Sequence, residues 1–283
     1  RALAGAASAI GIAHAARLVN HGRSAAESEL CRSLSEAHGQ PLRAMIMGNN
    51  QFCSQCHLNE NGGYVVQHHE NIIIGAGLTG IYQLYRLLEL DMDAIVLEGA
   101  DDLGGTWYHN RYPGCRFDSE SYTYGYSFSE ELLDEWSWSE HFAAQPETLG
   151  YLNHVADKFD LRRHMHFNCW VRSAVYDEDA NTWVVTLNDA RTFSCRFLLT
   201  AIGVLSAPVM PRIDGIDRFR GASFHTYHWP REPVELEGKR VAIIGTGATA
   251  VQLIPEVAKQ ASDLFIFQRR PNWCAPLHNA KIS

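Results

Sequence analysis

Apolar residues along the chain fall into short unbroken runs and helical stripes, set apart by glycine-rich turns. Asn71-Ile72-Ile73-Ile74 has no polar alternation, which predicts a strand covered on both faces. It runs into Gly75-Ala76-Gly77-Leu78-Thr79-Gly80 and then into a stripe of Ile81, Leu84, Tyr85 and Leu88. That 3.6-residue spacing predicts a helix with one apolar face. Ala94-Ile95-Val96-Leu97 predicts a second covered strand, and Glu98 ends it with an acid. The same order returns from Arg240. Val241-Ala242-Ile243-Ile244 precedes Gly245-Thr246-Gly247-Ala248-Thr249-Ala250, a helix follows, and Leu264-Phe265-Ile266-Phe267-Gln268 closes the unit. Pro255 lies inside that second helix and predicts a bend or local break, because proline has no N–H to donate.

Between the two β-α-β units, Trp183-Val184-Val185-Thr186-Leu187 and Thr192 to Leu199 have strand character, with a turn signal at Asn188-Asp189. An antiparallel hairpin is expected near 181–199. Residues 1–68 show no strong period and end in a Gly/Asn/His-rich stretch from Asn59 to His69. The expected organisation is an unassigned extension over 1–68, a first α/β domain over 69–205, a linker over 206–239, and the first part of a second domain over 240–283. A doubly wound sheet needs more strands than the second unit supplies, so that domain is expected to be truncated at its C-terminal side.

Composition narrows the classes. The chain has 46% hydrophobic and 20% charged residues, as globular proteins do. A formal net charge of −8 argues against a nucleic-acid surface. No apolar run approaches the ~20 residues of a membrane-spanning helix. Seven scattered cysteines do not read as a disulfide framework and fit a reducing, cytoplasmic setting. The first 26 residues are Ala-rich, carry Arg17 and Arg23, and lack Asp and Glu. An organellar transit peptide has that composition; an Ala-rich helix or a plain extension is the preferred reading.

The glycine loops carry the chemistry. In a strand-to-helix turn that receives a dinucleotide, Gly75 permits the tight turn, Gly77 lets backbone N–H groups approach a pyrophosphate, and Gly80 lets helix pack on strand. The helix N-terminus offers unpaired donors and partial positive charge to the anion. Glu98 lies 18 residues beyond Gly80, where a carboxylate accepts hydrogen bonds from an adenosine ribose. The second loop ends in Ala250, the permitted variant, and its second strand leads to Gln268-Arg269-Arg270 instead of an acid. A carboxylate there would repel a 2′-phosphate, whereas guanidinium pairs with it. The first unit therefore suits FAD and the second NADPH; a solvated basic strand end is the plainer reading of Arg269-Arg270.

Three further stretches are specific in combination: Gly104-Gly105-Thr106-Trp107 with Arg111 to Asp118; Thr200-Ala201-Ile202-Gly203; and Phe219 to Pro230. From about Asn71 to Ser283 the chain resembles the Baeyer–Villiger flavin monooxygenases, whose F-x-G-x-x-x-H-x-x-x-W-P fingerprint is matched by Phe219, Gly221, His225, Trp229 and Pro230. The resemblance implies two Rossmann-like domains, FAD and NADPH as cofactors, and a ketone and O₂ as substrates. It implies that Thr106, Trp107, Asp118 and Tyr124 line the FAD, with Val171 near its adenine end. It further implies that Gly245, Thr246, Gly247, Ala248, Thr249, Gln252, Arg269 and Arg270 hold NADPH, although the family often has Thr at the Arg270 position. His225 and Trp229 would couple nucleotide position to the flavin across the hinge; a hydrogen-bonded linker histidine without direct chemistry is the equal alternative for His225.

The implied reaction passes through a C4a-peroxyflavin that attacks a ketone carbonyl, giving an ester or lactone. In the family an arginine beyond the position of Ser283 stabilises the peroxide, and Asp118 matches the carboxylate that positions it. The 283 residues alone are therefore expected to bind FAD weakly and not to turn over. An N- or S-oxygenating monooxygenase is disfavoured by Trp229-Pro230, and an inactive nucleotide-binding fragment is the reading from another class. A disulfide reductase is excluded by the lack of a C-x₄-C after the first loop. Cys53-Ser54-Gln55-Cys56-His57 has the spacing of a c-type haem site, and zinc could draw on Cys53, Cys56 and two of His57, His68 and His69. Both readings are weaker than ordinary residues in an extension, and no metal is expected.

Overall fold

The structure, a computed structural model, describes residues 66–282. The Ala-rich start, Cys53, Cys56 and His57 lie outside the described residues. The first isoleucine run forms β1 (Gln67–Ile74), which pairs in parallel with β2 (Ala94–Leu97), Ile72 opposite Ile95 and Ile73 opposite Val96. On its other side β1 pairs in parallel with β6 (Thr192–Thr200). Two-residue β3 (Met165–His166) extends the sheet beyond β2. Beyond β6 the direction reverses through β5 (Thr182–Leu187) and β4 (Val171–Asp177), giving the order β3-β2-β1-β6-β5-β4. The expected hairpin is β5–β6, with Trp183 opposite Cys195.

Side chains alternate across a strand, so an uninterrupted apolar run must feed two cores. Ile73 and Val96 pack with Ile81 and Leu84 of α1 (Leu78–Glu89) and with Leu152 and Val155 of α5 (Gln145–Lys158). Ile72, Ile95 and Leu97 pack on the opposite face with Val185, Leu187 and Phe193. Burial of each such side chain contributes about 1.5–3 kcal/mol. Short helices α2 (Thr106–His109), α3 (Ser121–Tyr124) and α4 (Glu130–Glu135) link β2 to α5.

Two elements differ from the expectation. The first strand starts at Gln67, four residues before the apolar run, because Gln67, His68 and His69 pair with Phe193, Ser194 and Cys195. A polar strand end is held there by its ladder. Strand β4 is unexpected, since most of its side chains are exposed and it has no apolar period.

The second unit has β7 (Arg240–Ile244) parallel to β8 (Asp263–Phe267), with α6 (Ala248–Ala258) between them; these two strands form their own sheet. The predicted break at Pro255 is replaced by a continuous helix. The carbonyl that proline leaves without a donor belongs to Val251, and both residues are exposed, so water can serve it. No helix among the described residues is long and apolar enough to cross a membrane.

Candidate nucleotide-binding site

The first glycine loop is built by backbone crowding. Gly75 has φ +103°, and a Cβ there would meet the Ala201 carbonyl oxygen at 2.6 Å. A Cβ on Gly80 would lie 1.8 Å from the Gly75 oxygen, so helix and turn touch through backbone. The Gly104-Gly105 turn is laid over this loop: Gly104 N–H donates to the Ala76 carbonyl at 2.9 Å, and a Cβ on Gly105 would meet Gly77 Cα at 2.8 Å. Helix α1 begins at Gly77 with no side-chain cap and no acid in its first turn. By contrast α4 is capped by Ser129 and opens with Glu130 and Glu131. The first-turn N–H groups of α1 are thus left for an anion.

Glu98 is buried at the end of β2 and turns back on the loop. Its carboxylate accepts hydrogen bonds from Ala76 N–H at 2.6 Å and Ala100 N–H at 2.8 Å. After the Gly104-Gly105 turn the chain forms an aromatic wall. Trp107 donates its indole N–H to the Tyr124 hydroxyl at 2.8 Å, and Tyr124 stacks on Phe117 at 4.4 Å. Gln145 holds the Trp107 carbonyl. Burial raises the Tyr124 pKa, so its hydroxyl stays protonated at neutral pH. Thr106 and Asp118, next in sequence to Trp107 and Phe117, are exposed. Val171 opens β4 and packs against the second core face, with Ile72 and Leu97 among that core's members.

The second loop has the same form in open surroundings. Gly245 has φ +110°, and a Cβ on Gly245 or Gly247 would meet nothing within 4 Å. Helix α6 also starts without a side-chain cap or first-turn acid. Thr246 ties the loop to the strand end: its hydroxyl bonds the Arg270 carbonyl at 3.3 Å and receives Gln268 Nε2 at 3.1 Å, while Asn272 Nδ2 donates to its carbonyl at 2.6 Å. These bonds bring exposed Arg269 and Arg270 beside Gly245-Thr246-Gly247. Ala248 begins the helix, Ala250 is buried and Thr249 half-buried.

The fingerprint segment straps the linker to the first unit. His225 Nδ1 accepts from Tyr227 N–H at 3.1 Å, capping a 3-10 turn at Thr226–His228. Neutral His225 therefore carries its proton on Nε2 in this arrangement. Trp229 packs on the main core and against Phe224. Tyr227 stacks on His109 at 4.8 Å, and Arg231 pairs with Asp101 at 2.7 Å while lying over the Tyr108 ring. Sequence reasoning did not single out Tyr227, Arg231, Asp101 or His109. Only the place of Tyr227 inside the fingerprint segment, and of Arg231 directly after it, could have drawn attention to them.

Gln252 occupies an unexpected place. Its Oε1 accepts from the Tyr112 hydroxyl at 2.9 Å and from Arg116 N–H at 3.2 Å, and its Nε2 donates to the Arg116 carbonyl at 2.8 Å. Three of its four hydrogen-bonding positions are thereby engaged with the first unit. Histidines 68 and 69 are likewise engaged, with Ser194 and Asp93, each at 3.0 Å. No cluster of three or more His, Cys, Asp or Glu suited to a metal occurs among the described residues.

Comparison with known proteins agrees with these features. The family profile described as flavin-binding monooxygenase-like matches residues 69–278. A 2-oxo-Δ3-4,5,5-trimethylcyclopentenylacetyl-CoA monooxygenase of Pseudomonas putida is 50% identical over 218 residues, covering 75% of this chain and 40% of its own. An acetone monooxygenase (methyl acetate-forming) of Gordonia sp. strain TY-5 is 44% identical, covering 73% and 39%. The solved structure of OTEMO in complex with FAD and NADP is 50% identical with a TM-score of 0.73, covering 76% of this chain and 41% of that one. The chain thus spans about 40% of the length of the curated relatives it matches. With both glycine loops, the aromatic wall and the linker strap inside the matched span, the chain belongs to the flavin-binding monooxygenase-like family.

Proposed function

We propose that the complete protein is an FAD- and NADPH-dependent monooxygenase that inserts one oxygen atom of O₂ into a ketone, giving an ester or lactone. The observation that carries this reading is the pair of uncapped, acid-free helix N-termini, each behind a glycine turn, in one chain whose second unit is tied to the first by the Gln252 contacts. The ketone-oxidising relative that forms methyl acetate supports the reaction class.

In this reading the backbone of Gly75, Ala76 and Gly77 and the α1 N-terminus bind the FAD pyrophosphate, and Glu98 takes the adenosine ribose once its loop bonds open to the ligand. Thr106, Trp107, Tyr124 and Asp118 orient the ring system, and Val171 borders the adenine. The Trp107–Tyr124 hydrogen bond and the Phe117 stack fix those rings before ligand arrives, which reduces the reorganisation needed at the reacting atoms. Gly245 to Ala250 bind the NADPH pyrophosphate, and Arg269, with Arg270 beside it, pairs with the 2′-phosphate. Bound flavin supplies the hydride acceptance and oxygen transfer; the protein orients it and excludes water.

The test is anaerobic mixing of the complete, flavin-loaded protein with NADPH and NADH, followed by aerobic turnover of cyclic and linear ketones. Faster flavin reduction by NADPH, lost in Arg269→Ala, with ester or lactone as product is the expected result. Equal use of NADH, or turnover of amines and sulfides alone, overturns the assignment.

A further inference from the structure

We propose that Gln252 is a positioning residue, not a nucleotide ligand: with Tyr112 it latches the helix behind the second glycine loop onto the turn that leads to the aromatic wall. The carboxamide pairs with both backbone groups of Arg116, as a neighbouring strand would. A third bond comes from the hydroxyl of buried Tyr112, which also contacts the Thr249 side chain in the first turn of α6. The approach is close enough to dictate sequence. A Cβ on Gly114, which has φ +81°, would lie 2.4 Å from the Gln252 carbonyl oxygen. The Tyr112–Arg116 turn therefore rests directly on the backbone of α6.

The far side of that turn is also held. Arg116 donates to Glu140 at 2.9 Å and to the Phe142 carbonyl at 3.1 Å. Glu140 in turn receives Asn279 Nδ2 at 2.6 Å from the segment after β8. The residue after Arg116 is Phe117, which stacks on Tyr124 at 4.4 Å and meets Trp107 edge-on at 5.7 Å. A continuous chain of contacts thus runs from the second loop through Thr249, Tyr112 and Gln252 to the rings expected to face the flavin. Gln252 is uncharged and most of its bonding capacity is engaged, so it has little left to offer a pyrophosphate. Its leverage is geometric. An error of about 1 Å in the relative placement of two reacting groups can lower a rate about 100-fold without weakening binding.

The catalytic half of this inference rests on the proposed function; the latch itself does not, and the two are read separately. Amide hydrogen exchange of the unliganded chain reads the latch. Gln252→Leu should raise exchange at the Arg116 amide by about 10-fold or more, and Tyr112→Phe by less, since it removes one bond of three. Unaltered exchange in both variants overturns the latch. In the complete flavin-loaded protein, Gln252→Leu should change the NADP⁺ dissociation constant by less than about 3-fold while slowing flavin reduction by saturating NADPH about 10-fold or more. Gln252→Glu keeps an acceptor for Arg116 N–H and Tyr112 but loses the donor, so it should fall between the two. A weakened dissociation constant with an unchanged saturating rate would make Gln252 a nucleotide ligand and overturn the proposal. If Gln252→Leu does not fold, Tyr112→Phe decides alone: faster exchange at Arg116 supports the latch, and unchanged exchange rejects it. Absence of NADPH-driven reduction in the unmodified protein would sink the proposed function, with exchange still deciding the latch.

Discussion

The two strand–glycine–helix units share a motif but not an environment. In the first, β1 and β2 are covered on both faces, and the loop glycines press on Ala201, Gly75 and Gly105 backbone. In the second, Ile244 is 62% exposed and Phe267 57%, and the loop glycines face open space. Local sequence therefore sets the turn, and tertiary packing decides what else each glycine must do. Gly75 and Gly80 are required by the fold itself. Gly247 has an ordinary φ of −74° and no neighbour for a Cβ to meet, so the fold does not require it.

The sharpest way to break this contrast is an alanine in each glycine loop, at Gly80 inside α1 and at Gly247, which precedes α6. Alanine is favoured over glycine inside a helix by about 1 kcal/mol. At Gly80 the added carbon would sit 1.8 Å from the Gly75 oxygen, and that collision wins. Gly80→Ala should lose about 3 kcal/mol or more in urea unfolding, whereas Gly247→Ala should stay within about 1 kcal/mol of the parent. Similar losses in both would show that the two environments do not differ as described.

The strand-end residues give a smaller effect. Glu98→Gln places an N–H₂ group toward one of the two backbone N–H donors now bonded to the carboxylate. Unfolding should show a loss of about 1–3 kcal/mol. Exposed Arg269→Ala should change stability by no more than about 0.5 kcal/mol.

The smallest effect concerns pH where the linker meets the first unit. Burial, then the nearby charges of Arg111 and His228, lower the His109 pKa against an opposing pull from Glu98. As pH falls, the unfolded chain takes up the proton first, so stability declines from about pH 6.5 toward the lower folded value and is unaffected above it. His109→Phe keeps the ring against Tyr227 and removes the titration. Its melting temperature should decline less than the parent's between pH 7 and 5.5; equal declines would exclude His109 as a contributor.

The parts of the fold legible in sequence were those in which neighbouring residues state their own environment. The isoleucine run marks β1 because both faces are buried, and Asn188-Asp189 marks the turn between β5 and β6. Strand β4 was invisible because a strand of mainly exposed side chains bears no apolar period, and Gln67 to Glu70 joined β1 through a ladder with residues over a hundred positions away. The glycine loops and Glu98 were found by spacing. The Gln252–Arg116 and Arg231–Asp101 contacts were not, since residues 136 and 130 positions apart leave no local pattern. They bear on the site only through three-dimensional packing.

Glu98 stands where ligand preference is usually tuned, yet its oxygens also staple Ala76 and Ala100. Retargeting this pocket toward a phosphorylated nucleotide by removing the acid would loosen the very turn meant to receive the new ligand. In the proposed reading, selectivity and loop shape are thus written in one side chain, and redesign must first supply another acceptor for those two amides.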